Sequence, residues 1–322
     1  MRRKQAFSYL FNEPKDFSLA EEYMKKFVGL RPDEASAHIG LGDVYRAQSK
    51  LEKARDAYSE AAGVDPESHV SFSKKGHADT FLGNYDEARA DFKQAQEVAK
   101  DNSKATWANF GTYTYLYAGE VKAALDANEN ILQNIENMGI PKDQQRVARL
   151  STHFNRARIA MHHGRFDIAD KALQEYAALL RAVAEDVKSP EFLRSQNATI
   201  ALWEGMLAAH KGDFETAITK AEVNAKQLEP DNNPRKLEGF HRLMGKINLL
   251  QKNHKEAVEH YQKANLNGVQ VKYELALAQE GLGNEQEAQR LFTEVAEWNF
   301  NGVGYALVRN EALKKIKVMV RK

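Results

Sequence analysis

Residues 35–68 read ASAHIGLGDVYRAQSKLEKARDAYSEAAGVDPES, and this stretch decides the fold. It holds two short amphipathic segments, 35–47 and 51–63, separated by a polar turn and closed by Asp65-Pro66. Residues 69–102 repeat the plan at the same length of 34: Gly76 answers Gly42, Ala88 answers Ala54, Phe92 answers Tyr58 and Ala95 answers Ala61. Looking backwards, Ala20, Met24, Phe27 and Pro32 stand 34 residues before Ala54, Tyr58, Ala61 and Pro66. A fixed period of this size means a helical unit that buries its apolar side by stacking on the next copy.

Each recurring position has a physical task. A small residue in the first helix (Gly42, Gly76, Gly111, Gly205, Gly245) lets the partner helix come close. An alanine in the second helix (Ala20, Ala54, Ala88, Ala124, Ala169, Ala217, Ala257, Ala288) does so from the other side. A bulky residue four later, as in Tyr58, Phe92, Leu173, Tyr261 and Phe292, lies one turn on and on the same face, where it fills the groove. Gly83-Asn84, Gly164-Arg165, Gly212-Asp213 and Gly283-Asn284 mark the turns between the helices of a pair.

This set resembles the tetratricopeptide repeat (TPR) family over nearly the whole chain. The resemblance implies an all-α fold, a right-handed superhelix (α-solenoid) of about eight antiparallel helix pairs plus a C-terminal capping helix. On this reading 1–322 is one solenoid, divided as 1–34, 35–68, 69–102, 103–140, 141–189, 190–233, 234–267, 268–300 and a cap at 301–322. Successive key alanines are 34, 34, 36, 45, 48, 40 and 31 residues apart, so the central units are stretched. Segments 141–163, 166–188 and 190–211 accordingly read as helices of about five or more turns. They could alter curvature or offer a homodimer surface. The tail 298–310, WNFNGVGYALVRN, is similar to a segment of bacterial TPR proteins, which points to a bacterial chain.

The totals narrow the function. Lys+Arg 46 against Asp+Glu 45 leaves a net charge of +1, too little to attract nucleic acid or anionic lipid in bulk. With no cysteine, disulfides, thiol nucleophiles and Cys-based metal sites are excluded. MRRK resembles the start of a leader, but only residues 6–11 follow before Asn12-Glu13-Pro14, too short for its apolar core. The compartment stays open: the chain reads as cytoplasmic as given, or as exported if a native leader has been removed. No stretch approaches a membrane-spanning length, so no membrane insertion is expected.

Catalytic signatures are missing: there is no GxxxxGK[ST], GxGxxG, GxSxG or HExxH. His162 and His163 are adjacent, about 100° apart on a helix, and cannot chelate as an i, i+4 pair would. No catalytic residue, metal or cofactor is expected, and the chain reads as no enzyme. In TPR proteins the first helix of each unit lines the concave face, which the resemblance maps here to Asp43, Arg46, His77, Tyr115, Phe154, Arg158, Met161, Arg242, Lys246 and Tyr273. Arg146, Arg149, His153 and Arg156 form a further stripe that is either a solvated face or a cationic patch. Some TPR domains clamp a C-terminal carboxylate through a Lys and an Asn. The corresponding residues here are Ile39 and Asp43, and an acid there would repel such a tail.

The expectation is a non-enzymatic scaffold that holds a protein or peptide, with an acidic segment where the arginines gather. Nucleic acid is not an expected partner, because base-reading helical repeats need matching polar pairs at fixed positions. A ligand-responsive regulatory module is the alternative, and a hydrolase with an unrecognised site is a lesser one.

Overall fold

The computed structural model describes residues 16–319. The leader-like segment and the first part of the 1–34 unit lie outside the described residues. Helix follows helix, with no strand among the described residues. By contacts the chain divides into two compact units, Met1–Ala148 with Asn299–Gly302, and Arg149–Trp298 with Val303–Lys322.

The first unit contains α1 (Phe17–Leu30), α2 (Ala35–Ala47), α3 (Leu51–Val64), α4 (His69–Leu82), α5 (Tyr85–Val98), α6 (Ser103–Ala118) and α7 (Val121–Asn134). Helix α8 (Lys142–His162) begins in this unit and continues in the second. There it is followed by α9 (Phe166–Val187), α10 (Pro190–Lys211), α11 (Phe214–Leu228) and α12 (Glu238–Leu250). The remaining helices are α13 (His254–Tyr261), α14 (Val269–Gly281), α15 (Glu285–Ala296) and α16 (Val303–Met319). Consecutive helices pack on each other from α1 to α7 and from α9 to α16, as an α-solenoid of helix pairs requires. The three long helices predicted from the stretched spacing are α8, α9 and α10, of 21, 22 and 22 residues.

The repeat positions do the packing. All eight key alanines are 0% exposed, and the bulky residue four later is buried in all five cases, Tyr58, Tyr261 and Phe292 completely. A Cβ on Gly76 would stand 3.1 Å from the Phe92 ring, and one on Gly245 would stand 2.8 Å from the Tyr261 ring. On Gly42 it would run into Tyr58. The glycine is thus the floor on which the ring of the second helix rests.

Helix ends follow the local sequence. Ser68 and Ser189 cap α4 and α10 by accepting the backbone N–H three residues on, and Pro190 occupies the first turn of α10. Gly83 and Gly212 close α4 and α10 at φ +88° and +82°. At the corresponding turn after α12 the chain has Lys252, at φ 64°. An L side chain there costs about 1–2 kcal/mol, part of which glycine loses again to unfolded-state entropy. Lys252→Gly should therefore raise stability by about 0.5–1 kcal/mol, read from the urea midpoint at unchanged m-value.

Helix α16 departs from a simple amphipathic cap. Tyr305, Ala306, Leu307 and Val308 are buried in succession, which on a helix means that its N-terminal half is covered all round. Only its later residues, among them Lys314, Lys317 and Val318, are exposed.

Candidate functional site

In the first unit, Asp43, Arg46 and His77 come together on α2 and α4. Asp43 Oδ1 accepts from the Tyr58 hydroxyl at 2.8 Å and the Lys74 ammonium at 2.7 Å, with Arg46 Nη2 at 3.4 Å. Its charge is thereby compensated within the fold, and it anchors Arg46. The Tyr58 phenol is held protonated by burial and by Asp43.

What these side chains touch is an irregular piece of chain, Asn299–Asn301, whose first residue is left-handed at φ 49°. Arg46 Nη1 donates to the Asn299 carbonyl at 3.2 Å, and its guanidinium lies 4.2 Å from the centre of the Phe300 ring. Asn299 donates from its side chain to Ser49 Oγ at 2.9 Å. The Asn301 amide is held at both ends: its Nδ2 donates to His77 Nδ1 at 3.1 Å, and its Oδ1 accepts from the Tyr117 hydroxyl at 3.0 Å. His77 can accept because burial, with Arg46 and Lys74 nearby, holds its imidazole well below its usual pKa and hence neutral. That fixes its tautomer, with the proton on Nε2.

The second unit gathers Phe154, Arg158, Met161 and Arg242 around a residue that the repeat register did not select, Trp203. The Arg158 and Arg242 guanidinia lie 5.4 and 5.0 Å from its ring centre, and Phe154 meets it edge-on at 4.8 Å. Both arginines donate to one neutral acceptor, Gln270 Oε1, at 2.5 and 3.4 Å. Arg242 Nε is buried without a hydrogen-bond partner. Next to them Lys246 donates to Glu274 at 3.1 Å. Burial would raise the Glu274 pKa, but the Lys246 ammonium and the Arg242 guanidinium outweigh it and hold the carboxylate below its usual range. His210 is pushed down to about 3, by burial first and Lys246 second. Arg158, Arg242 and Glu274 line a cavity of about 20 Å³, room for a single water.

Two of the expected residues sit elsewhere. Tyr115 lines a cleft between α5, α6 and α7 and carries the Arg89 guanidinium 4.6 Å from its ring centre. The α6 residue that reaches Asn301 is Tyr117, a turn phase away. Tyr273 is 6% exposed, packs 5.6 Å from the Phe292 ring and interacts with Glu311. Of the arginine stripe, Arg149, His153 and Arg156 are half-buried and Arg146 is exposed, and none of the four stands free. No group of three or more His, Asp or Glu among the described residues could hold a metal ion. None of the described helices is long and apolar enough to cross a membrane.

The tetratricopeptide repeat family matches residues 15–69 and again residues 71–102. The chain carries tetratricopeptide repeats. No curated protein sequence matches it. Among solved structures it is similar to a tetratricopeptide repeat protein from Parabacteroides merdae, at 17% identity over 86% of this chain and 98% of that one, TM-score 0.48. The apo form of the quorum sensor NprR from B. thuringiensis aligns at 14% identity over 99% and 86%, with TM-score 0.48. The TPR protein YrrB, whose peptide-binding site is described as unusual, aligns at 18% identity over 66% and 95%, with TM-score 0.35.

Proposed function

We propose that this TPR chain is a non-enzymatic scaffold that holds an extended segment of another protein on the first-helix faces of its pairs. TPR proteins are in general protein-interaction scaffolds, which sets the coarse reading. The finer one rests on a single observation: the α2–α4–α6 face of the first unit already holds a non-helical stretch, Asn299–Asn301, by its side chains. Five contacts read two amides, one backbone carbonyl and one ring, so the surface has the chemistry a bound peptide needs. Asp43, Arg46, His77 and Tyr117 are the residues proposed to carry it.

In the second unit the Arg158 and Arg242 guanidinia, stacked beside Trp203 and donating to the neutral Gln270, support a preference for an acidic segment there, since guanidinium forks pair with carboxylates. Because the chain's own residues fill the first face, a partner enters by displacing them. That favours ligand-responsive regulation as the second reading.

The test is a labelled peptide, Trp-Asn-Phe-Asn-Gly-Val, titrated by fluorescence anisotropy into the full chain carrying N299A, F300A and N301A. Binding at least about tenfold tighter than to the unaltered chain, lost on adding His77→Ala, is the expected result. No binding to the triple variant would reduce the segment to a structural tether and remove the support for this reading.

A further inference from the structure

We propose that the cleft between α5, α6 and α7 is a binding site for a small apolar carboxylate, an aromatic body carrying one free acid group. The site is separate from the faces described above, and its origin can be read in the repeat. In three pairs a ring sixteen residues after the first-helix glycine rests on that glycine: Tyr58 on Gly42, Phe92 on Gly76, Tyr261 on Gly245. In the Gly111 pair the residue four after the key Ala124 is not a ring but Asn128, buried and turned to Asn109, donating to its Oδ1 at 3.1 Å. A Cβ on Gly111 would meet nothing nearer than Phe92 Cβ at 3.8 Å. No ring rests on Gly111, and beside it lies an open cleft of about 360 Å³.

That volume is in the range of small-ligand sites. Phe92, Trp107, Tyr115, Ile131 and Met138 supply its apolar walls. Its charged lining residues are Arg89 and Lys93 alone, with no carboxylate among the lining residues. Arg89 is preset: it donates to Thr114 Oγ1 at 3.1 Å while stacked on Tyr115, and its ion-pair partner Asp86 is 91% exposed and so a weak competitor. Lys93 stands 3.9 Å from Glu97, both well exposed. The Trp107 indole N–H is buried with no hydrogen-bond partner and can only donate. Apolar walls with two cations, no acid and a spare donor complement an amphipathic anion.

The test is isothermal titration of the full chain with N-acetylphenylalanine, its uncharged amide, and a pentapeptide ending in phenylalanine with a free carboxylate. The acid should bind and the amide at least about tenfold more weakly. Arg89→Ala should lose at least about tenfold, and the exposed Lys93→Ala should weaken binding in the same direction with the fold untouched. Gly111→Leu places a side chain in the free space and should abolish binding with the melting temperature kept or raised, since glycine in a helix interior is itself unfavourable. A peptide that binds as tightly as the free acid assigns the cleft to a partner's C-terminus, and a much weaker peptide assigns it to a free small molecule. No heat with any acid, equal affinity for acid and amide, or full binding by Gly111→Leu would overturn the proposal.

Discussion

Replacing Lys246 with methionine will destabilise the chain by about 3–5 kcal/mol at pH 7, because it leaves the Glu274 carboxylate buried without the ammonium that compensates it. Glu274 is 7% exposed, and one of its two oxygens, Oε2, already has no hydrogen-bond partner. The pH dependence separates this mechanism from lost packing. In the unaltered chain the Glu274 pKa is lowered on folding, so its contribution is fully present above the unfolded value near 4.5 and is lost as pH falls through the lower folded value. Without Lys246, burial becomes the leading influence and the folded pKa moves up. The variant then gains stability relative to the unaltered chain as Glu274 takes up a proton, and the gap should narrow markedly between pH 7 and pH 4. Urea unfolding at the two pH values measures it, and a constant gap would assign the loss to packing. Adding Glu274→Gln to Lys246→Met should recover a large part of the deficit at pH 7.

The same pair shows what the sequence could and could not say. Lys246 was legible as a first-helix residue because Gly245 fixes the register of α12. Glu274 was not, because nothing in the spacing ties α14 to α12 through a charge. Trp203 lies outside that register: α10 is 22 residues long, and a helix of 3.6 residues per turn drifts out of a register set on 34-residue units. Tyr115 went the same way in α6, where the spacing between key alanines lengthens to 36. The fold was legible because its determinants, the alanine and the ring four later, are local and repeated. The faces were not fully legible, because they depend on rotational phase, and each inserted residue shifts a helix by about 100°. The seat of Asn299–Asn301 on Arg46 and His77 joins residues more than 220 positions apart, beyond any periodic pattern.

The cleft beside Gly111 and the filled grooves beside Gly42 and Gly245 are two outcomes of one rule. Where the ring is present it locks a pair, and where Asn128 stands in its place the pair stays closed by other contacts and a concavity remains. Here Ile131 and Ile135 supply those contacts, in a core with Ala105, Ile140 and Ala148. A repeat array can thus exchange stability for a site one unit at a time, because each unit contacts mainly its neighbours.

Tyr58→Ala tests the rule where it is strongest. Tyr58 is 0% exposed, rests on Gly42, and donates its hydroxyl to Asp43 Oδ1. Removing the ring deletes its packing, leaves a cavity that α2 and α3 only partly close, and strips one donor from Asp43, for an expected loss of about 3–5 kcal/mol. Tyr58→Phe keeps the packing and isolates the hydroxyl, a bond to a charged acceptor worth about 1.5–3 kcal/mol. Gly42→Ala approaches the contact from the other helix: its methyl would occupy the ring's place, so alone it should destabilise, and in the Tyr58→Ala background it should help. The double variant should therefore be more stable than the sum of the two single losses gives. Hydrogen exchange locates the effect. Protection should fall in α2, α3 and α4, the helices that meet around Tyr58, and stay unchanged in α12 to α15. Loss of protection throughout the chain would show that the array unfolds as one cooperative body, and the neighbour-only description of its packing would then fail.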